Sequence, residues 1–259
     1  MVTESVFYRE IGKEISVFEH AFKNKIPLLL KGPTGSGKSR FVEFMAEKLG
    51  LQLITVNCHE ETSATDLIGR FIIKGAETVW MDGPLTIAVK KGCLLYLDEI
   101  AEARPDIIVA IHSLTDHRRE LFIDKLGQSF KATPDFMLTA SFNPGYQRGF
   151  KELKPSTRQR FATIAFNYPK PEVETDIIIQ ETGIQQGDAE KLVKIAHKIR
   201  NLKELGLTET VSTRLLVHAA TLMNSGLPKR LSLRMAIVES LTDEPDIIDA
   251  LSDLCNLYF

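Results

Sequence analysis

The stretch Leu28–Ser39, LLLKGPTGSGKS, is the strongest indication of a fold in this sequence. Its second part, Gly32–Ser39, fits the pattern G-x-x-x-x-G-K-[ST] at every fixed position. An apolar run precedes this motif and a helical pattern follows it, which is the context that a phosphate-binding loop requires. The glycines let backbone N–H groups surround phosphate oxygens, and the N-terminus of the helix adds its positive end. The stretch therefore predicts a P-loop in an α/β fold.

Each position of this loop has an expected task in binding a nucleotide. Lys38 can reach the β- and γ-phosphates, and the Ser39 hydroxyl can bind Mg²⁺. ATP and Mg²⁺ are therefore the expected cofactors. The other positions expected to line the nucleotide are Gly32, Pro33, Thr34, Gly35, Ser36 and Gly37.

Composition limits the remaining classes of function. The chain has 259 residues, of which 44 % are hydrophobic and 25 % charged, with a net charge of −2. This balance gives no basic excess of the kind that proteins use to grip a nucleic-acid backbone. No apolar run reaches the length of about 18 residues that a membrane span needs, and Met1–Glu10 lacks the core of a signal peptide. We expect a cytoplasmic protein that binds neither nucleic acid nor membrane.

Cysteine and histidine give no sign of a protein-bound metal. The three cysteines form no CxxC pair, and the six histidines show no HExxH spacing. The only metal that we expect is the Mg²⁺ that accompanies the nucleotide.

Short apolar runs alternate with helical patterns over the first two-thirds of the chain, which is typical of a parallel α/β sheet. A helix is predicted at Lys38–Leu49, where apolar residues recur every four positions and Gly50 supplies the stop. The five predicted strands are Ile26–Leu30, Leu53–Val56, Cys93–Leu97, Phe136–Ser141 and Ala162–Phe166.

Two stretches interrupt this alternation of apolar runs and helical patterns. The last third of the chain does not show it. Arg70–Met81 and Glu120–Phe130 each carry apolar residues around a glycine and are predicted to form β-hairpins inserted into the α/β frame. After Tyr168–Pro171 the pattern is helical almost throughout. We predict a nucleotide-binding domain over residues 1–168 and a helical lid domain over 169–259. Its predicted helices are Glu172–Glu181, Asp188–Leu202, Thr213–Asn224, Lys229–Leu241 and Asp246–Leu257.

Carboxylate and amide side chains follow the ends of several predicted strands. The strand at Cys93–Leu97 runs directly into Asp98 and Glu99, the shape of a Walker B segment. Asp98 is expected to hold Mg²⁺, and Glu99 to polarise the attacking water. Asn143 follows the next strand and can orient the same water. Taken alone, an Asp-Glu pair is a common solvated strand end and an Asn-Pro pair a common turn; the upstream P-loop favours the functional reading.

Three arginines and one further asparagine complete the candidate site. Arg158 or Arg160, just before the fifth strand, can enter a neighbouring subunit's site and stabilise phosphoryl charge, and we prefer Arg160. Arg214 lies in the first turn of a predicted helix, where a cation opposes the helix dipole, so a γ-phosphate is its expected partner. Asn57 ends the second strand and can restrain Glu99, although a structural cap for the next turn is a nearly equal alternative.

These motifs in this order resemble the MoxR branch of AAA+ ATPases and, within it, the CbbQ/NorQ family. The resemblance extends over nearly the whole chain, and the runs IHSLTDHRREL (111–121) and LKPSTRQRF (153–161) are its most particular parts. It identifies Asn143 with sensor 1 and Arg214 with sensor 2. Two further stretches that carry it are GCLLYLDEIAEARPD (92–106) and FNPGYQ (142–147).

The resemblance also implies partners and a task. It implies a homo-hexameric ring that acts with an adaptor bearing a von Willebrand factor A domain (CbbO-like). CbbQ-type members are Rubisco activases that release inhibitory sugar phosphates, and the chain is most similar to this type. NorQ-type members serve the maturation of nitric oxide reductase, and the motor residues do not distinguish the two clients. The two hairpins, at 70–81 and 118–135, are expected to face client or adaptor, or merely to cover the ring.

The sequence leaves three other hypotheses about the function open. A small-molecule P-loop kinase has less use for a water-activating Glu99. A nucleic-acid motor conflicts with the mildly acidic charge balance. A nucleotide-gated scaffold would bind ATP with negligible turnover.

Overall fold

A computed structural model describes residues 5–144, 153–202, 207 and 209–259, and within these the chain forms two compact units. The described residues of Gly12–Gly32 and Lys38–Phe166 belong to the first unit. The second unit contains the described residues of Asn167–Phe259 together with Phe7–Ile11 and Pro33–Gly37. The second half of the FNPGYQ stretch, residues 145–147, lies outside the described residues.

The first unit is built on a five-stranded sheet in which every strand is parallel to its neighbours. Its strands are β1 (Leu28–Lys31), β2 (Leu53–Asn57), β5 (Leu94–Asp98), β8 (Met137–Phe142) and β9 (Ala162–Ala165). Their order across the sheet is β2-β5-β8-β1-β9. The central strands are buried along most of their length, as apolar strands covered on both faces must be. The predicted parallel sheet is confirmed, with strand ends shifted by one or two residues.

The described part of the first unit has one helix before β1 and five helices between its strands. They are α1 (Glu14–Lys23), α2 (Lys38–Leu49), α3 (Ala64–Ile68), α4 (Pro84–Lys91), α5 (Pro105–Ile111) and α6 (Pro155–Arg158). Helix α2 has the predicted bounds and buries Phe41, Val42, Met45 and Ala46 on one face. It ends at Gly50, which has a φ of 66°.

Both predicted hairpins are present. Strands β3 (Gly69–Lys74) and β4 (Glu77–Asp82) pair antiparallel, and so do β6 (Glu120–Ile123) and β7 (Gln128–Lys131). Each pair forms a two-stranded sheet of its own, separate from the parallel sheet. The hairpins are therefore insertions, as the sequence predicts.

The second unit is helical around its own apolar core. Its helices are α7 (Pro171–Thr182), α8 (Gln186–Asn201), α9 (Thr213–Asn224), α10 (Lys229–Leu233), α11 (Glu239–Leu241) and α12 (Pro245–Asn256). One π-helical segment, Arg234–Val238, joins α10 to α11 where the sequence predicts an uninterrupted α-helix. The wider π turn keeps Ala236, Ile237 and Val238 buried together. In the part of the chain that is described, no helix is long and apolar enough to cross a membrane.

Candidate functional site

The loop between β1 and α2 adopts the backbone that its glycines permit. A Cβ on Gly32 would lie 2.4 Å from the carbonyl oxygen of Phe166, so no larger residue fits there. Gly35 and Gly37 have φ angles of 67° and 90°, in the left-handed region that glycine adopts without strain. The Ser36 hydroxyl donates to the carbonyl of Pro33 at 2.8 Å, which closes the loop locally.

Lys38, at the start of α2, directs its ammonium group into the site. The side chain is buried, and its Nζ donates to the carbonyl oxygen of Gly32 at 2.8 Å and to Oδ1 of Asn143 at 2.7 Å. Gly32 and Asn143 follow the neighbouring strands β1 and β8, so the ammonium bridges two strand ends. A buried cation at a helix N-terminus is a favourable environment for phosphate.

Hydroxyl groups surround the carboxylate of Asp98 at the end of β5. Ser39 Oγ donates to Oδ2 at 3.1 Å, Tyr96 Oη donates to Oδ1 at 2.7 Å, and Ser141 Oγ also donates to Oδ1. Burial and the charge of Asp98 raise the pKa of the Tyr96 phenol, so this group stays a proton donor. The hydroxyls therefore hold the carboxylate in one orientation without supplying a positive charge.

Glu99 has an unusual backbone and a solvent-exposed side chain. Its φ and ψ are 55° and 46°, a left-handed conformation that is uncommon outside glycine. The Glu99 N–H donates to Ser141 Oγ at 3.0 Å, and Asn143 Nδ2 donates to Glu99 Oε1 at 3.3 Å. Asn143 thus contacts both Lys38 and Glu99, and connects the P-loop lysine to the acid.

Asn57 lies beside these acids at the same edge of the sheet. It ends β2, pairs in register with Asp98 and is exposed. The next residue, Cys58, is buried, and burial with the charges of Asp98 and Glu99 raises the pKa of its thiol to about 12. Cys58 is therefore a neutral packing residue, and Asn57 is an exposed polar group whose strand partner is Asp98, the residue before Glu99.

Arg158 and Arg160 differ in their surroundings. Arg158 ends the short helix α6, whereas Arg160 follows it and is about one-third exposed. Arg160 Nη1 lies 3.5 Å from the carbonyl oxygen of His112 and 4.0 Å from Oδ2 of Asp116. A bidentate pair with Arg118 lowers the pKa of Asp116 to about 2, so this carboxylate is charged at neutral pH.

Arg214 lies in the second unit, in the first turn of α9. Ser212 caps this helix by accepting the N–H of Leu215. Gly35 lies against this helix start, because a Cβ on it would be 2.5 Å from Ser212 Cβ and 3.5 Å from Arg214 Cβ. Arg214 is exposed and close to the glycine turn of the P-loop.

The same unit holds the loop residue Thr34 through two contacts. Its carbonyl oxygen accepts the Tyr168 hydroxyl at 3.1 Å, and its own hydroxyl lies 3.5 Å from Glu209 Oε1. Pro33–Gly37 is thus packed against residues that lie more than 130 positions further along the chain.

The donor set fits the cofactors that the sequence predicts. Ser39 Oγ and the Asp98 carboxylate are adjacent oxygen donors, the ligand type that Mg²⁺ prefers. Lys38 and the glycine-rich loop supply cation and backbone for phosphate groups. Among the described residues, no cluster of three or more His, Cys, Asp or Glu side chains can hold a metal.

Two residues in this cluster escape sequence reasoning. Tyr96 and Ser141 lie inside apolar strands, where a single polar side chain is common and does not indicate a functional site. The sequence gives one indication of their role. Tyr96 comes two positions before Asp98, and Ser141 two positions before Asn143. Side chains two positions apart in an extended chain point to the same side, so each is expected on the side of its candidate site residue.

Comparison with known proteins agrees with the α/β fold of the first unit. Residues 27–161 match the AAA domain (dynein-related subfamily). A RuvB mutant from Thermotoga maritima has the same fold, with a TM-score of 0.56 and 17 % identity over 95 % of this chain and 71 % of that one. The chain is an AAA+ ATPase.

The second unit and the full-length relatives give the particular family. Residues 174–258 match the CbbQ/NirQ/NorQ C-terminal family. Protein CbbQ of Hydrogenophilus thermoluteolus is 51 % identical over 97 % of this chain and 94 % of the relative. Protein NorQ of Paracoccus denitrificans is 50 % identical over 99 % and 95 %. The denitrification regulatory protein NirQ of Pseudomonas aeruginosa is 48 % identical over 97 % of both. The chain belongs to the CbbQ/NorQ/NirQ family of AAA+ ATPases.

Proposed function

We propose that the chain hydrolyses ATP with Mg²⁺ and uses the energy to remodel a client protein. The observation that carries this proposal is the link from Lys38 through Asn143 to Glu99, beside the Ser39–Asp98 pair. This link and this pair bring an ammonium group, two carboxylates and a hydroxyl to one edge of the sheet. We propose that they bind phosphate, activate water and hold the metal. When bound, Mg²⁺ would offset the negative charge of the phosphates.

The chain's own residues have separate tasks in this reaction. Lys38 binds and orients the phosphates, and Asp98 with Ser39 holds the metal position. Glu99 Oε1, oriented by Asn143 Nδ2, polarises the water that attacks. Arg214 is proposed to contact the γ-phosphate, since it stands at the helix start that packs against Gly35. Asn57 is proposed to restrain Glu99 until a ligand or neighbour releases it.

An arginine from a neighbouring subunit is proposed to complete the site. Arg160 is our preferred finger because it is partly exposed and its guanidinium is near Asp116, a group that can hold it in place. This role requires a ring, for which we propose a homo-hexamer.

Replacing Arg160 by alanine tests the ring. We expect a loss of turnover of about 1,000-fold with ATP binding largely kept. Arg118→Ala is the matched control, because Arg118 pairs with the same Asp116. Mixing Arg160→Ala with Glu99→Gln subunits should restore part of the activity, since some sites then receive Arg160 beside an intact Glu99. If Arg160→Ala hydrolyses ATP normally and Arg158→Ala is inactive, Arg158 is the arginine finger. If both variants hydrolyse ATP normally, neither residue acts as an arginine finger.

The client is proposed to be Rubisco, reached through an adaptor with a von Willebrand factor A domain. The family resemblance carries this proposal, and the CbbQ relative supports it. The NorQ relative is almost equally similar, so maturation of nitric oxide reductase is the second candidate.

One assay compares the two clients with the same motor. The chain and its adaptor are incubated with Rubisco that carries an inhibitory sugar phosphate, and carboxylation is followed with ATP and with Glu99→Gln as control. Recovery that needs ATP and Glu99 supports the Rubisco assignment. The alternative is tested in a host that lacks its own motor protein for nitric oxide reductase. If Rubisco activity does not recover but the chain restores nitric oxide reductase activity in this host, nitric oxide reductase is the client instead of Rubisco.

A further inference from the structure

Ser141 occupies a position that connects the two acids of the site. It lies on β8 and is fully buried, and its hydroxyl contacts the last residue of the neighbouring strand β5 and the residue directly after that strand. One contact goes to the side chain of Asp98, and the other to the backbone N–H of Glu99.

The chemistry of a hydroxyl assigns a direction to both contacts. A serine hydroxyl has one proton and two lone pairs, whereas a carboxylate oxygen accepts and a backbone N–H donates. The Ser141 proton therefore goes to Asp98 Oδ1, and a lone pair receives the N–H of Glu99 at 3.0 Å. The two bonds do not compete, and each orients the hydroxyl for the other.

Glu99 needs such a support because of its backbone. A residue with a Cβ in the left-handed region is strained, and surrounding contacts must hold it there. The φ of 55° at Glu99 turns the chain directly after β5 and sets the direction in which the Glu99 side chain leaves the sheet. The bond from its N–H to Ser141 acts at this turn.

We propose that Ser141 is a positioning residue that holds the backbone of Glu99 in its left-handed conformation and thereby aims the Glu99 carboxylate. The proposal rests on the proposed role of Glu99 in ATP hydrolysis. Ser141 acts through Glu99 and does not touch the reacting groups itself.

Tyr96 and Thr139 allow the effect on Glu99 to be separated from other effects. Tyr96→Phe removes a donor from the same oxygen of Asp98 but leaves the Glu99 N–H bond intact. Thr139 lies two residues before Ser141 on the same strand and is equally buried, and among the described residues its hydroxyl has no hydrogen-bond partner. Thr139→Val is therefore the control for removing a buried hydroxyl from β8.

The experiment measures kcat, KM for ATP and the hydrogen exchange of the Glu99 amide in the assembled protein. We expect Ser141→Ala to lower kcat by about 100-fold with KM little changed, since a displaced catalytic group costs rate more than binding. Tyr96→Phe should lower kcat by less than about fivefold, and Thr139→Val should leave it unchanged. The Glu99 amide should exchange faster only in Ser141→Ala.

A double variant gives the second criterion. In a Glu99→Gln background, Ser141→Ala should change the residual turnover by less than about twofold, because both changes remove the same function. Equal losses in Ser141→Ala and Tyr96→Phe, or unchanged exchange of the Glu99 amide in Ser141→Ala, would overturn the proposal. Absence of ATP turnover in the unaltered protein would instead refute the proposed function, and the amide exchange would still decide whether Ser141 holds Glu99.

Discussion

Two polar clusters of this molecule hold a carboxylate in opposite ways. The strand-end cluster, in the first unit, surrounds Asp98 with hydroxyl donors. The ion-pair cluster, in the second unit, surrounds Glu174 with a guanidinium and a hydroxyl. The strand-end cluster consists of Ser39, Tyr96, Asp98 and Ser141, and the ion-pair cluster consists of Tyr168, Glu174, Arg200 and Thr213.

The ion-pair cluster satisfies its charges inside the fold. Glu174 is 1 % exposed and accepts both terminal nitrogens of Arg200 at 2.7 Å each. Thr213 Oγ1 adds a third donor at 2.6 Å. Arg200 also donates from Nε to the carbonyl of Val211 at 2.8 Å, and its guanidinium lies 4.1 Å from the centre of the Tyr168 ring.

The two clusters differ in whether the carboxylate has a counter-charge within the fold, and only a carboxylate without one is free to bind a metal ion. Glu174 has its own counter-charge and fixes the chain at Val211–Thr213, where α9 begins. Asp98 is oriented by neutral hydroxyls, so a cation can still gain from its charge. We therefore expect the same Asp/Glu-to-amide change to damage activity in one cluster and stability in the other.

Asp98→Asn should give the largest effect of this comparison. We expect turnover to fall by about 1,000-fold, because a metal-binding carboxylate contributes several kcal/mol to the transition state. The free energy of unfolding without nucleotide should change by less than about 1 kcal/mol, since hydroxyls can donate to an amide oxygen as well. Turnover and denaturant unfolding are measured on the same preparation. A protein that loses stability instead of activity would contradict the assignment.

Glu174→Gln should do the reverse. Removing one partner of a buried ion pair leaves Arg200 without its counter-charge, which costs about 3 kcal/mol of stability. Glu172→Gln, two residues earlier on the same helix and exposed, is the control and should change stability by less than about 0.5 kcal/mol. Denaturant unfolding checks both variants. If the two unfold alike, the ion pair does not stabilise the second unit.

Thr213→Val should give the smallest effect. It keeps the shape of the side chain and removes one hydrogen bond to a charged acceptor, so we expect a loss of about 1.5 kcal/mol. Thr221→Val on the same helix removes an exposed bond to a backbone carbonyl and should cost less than about 0.5 kcal/mol. A larger loss at Thr221 than at Thr213 would show that Glu174 does not depend on its third donor.

Sequence predicts those parts of the fold that have local signals. Helix α2 has the predicted bounds because the P-loop fixes its start and Gly50 its end. Helix α9 does as well, since Ser212 caps it. Helices α4 and α5 escaped the prediction because each is 8 residues or shorter, too short for a clear helical period, and only a proline marks its start.

The candidate site is predicted only in part for a similar reason. Lys38, Asp98 and Glu99 belong to motifs with fixed spacing, so sequence identifies them. Ser141 and the Glu174–Arg200 pair depend on contacts between residues 26 or more positions apart, which have no local signal. The domain limits, at residues 1–168 and 169–259, and the site roles stay predictions.

Comparing ATP binding with ATP turnover in Glu99→Gln tests the catalytic role of Glu99 most directly. We expect nucleotide to bind as tightly as in the unaltered protein, while turnover falls by about 1,000-fold, because only the water-activating carboxylate is lost. Glu102→Gln, three residues on and half-buried, is the control and should keep full turnover. Appreciable turnover in Glu99→Gln would mean that another group activates the water, and would contradict the catalytic role assigned to Glu99.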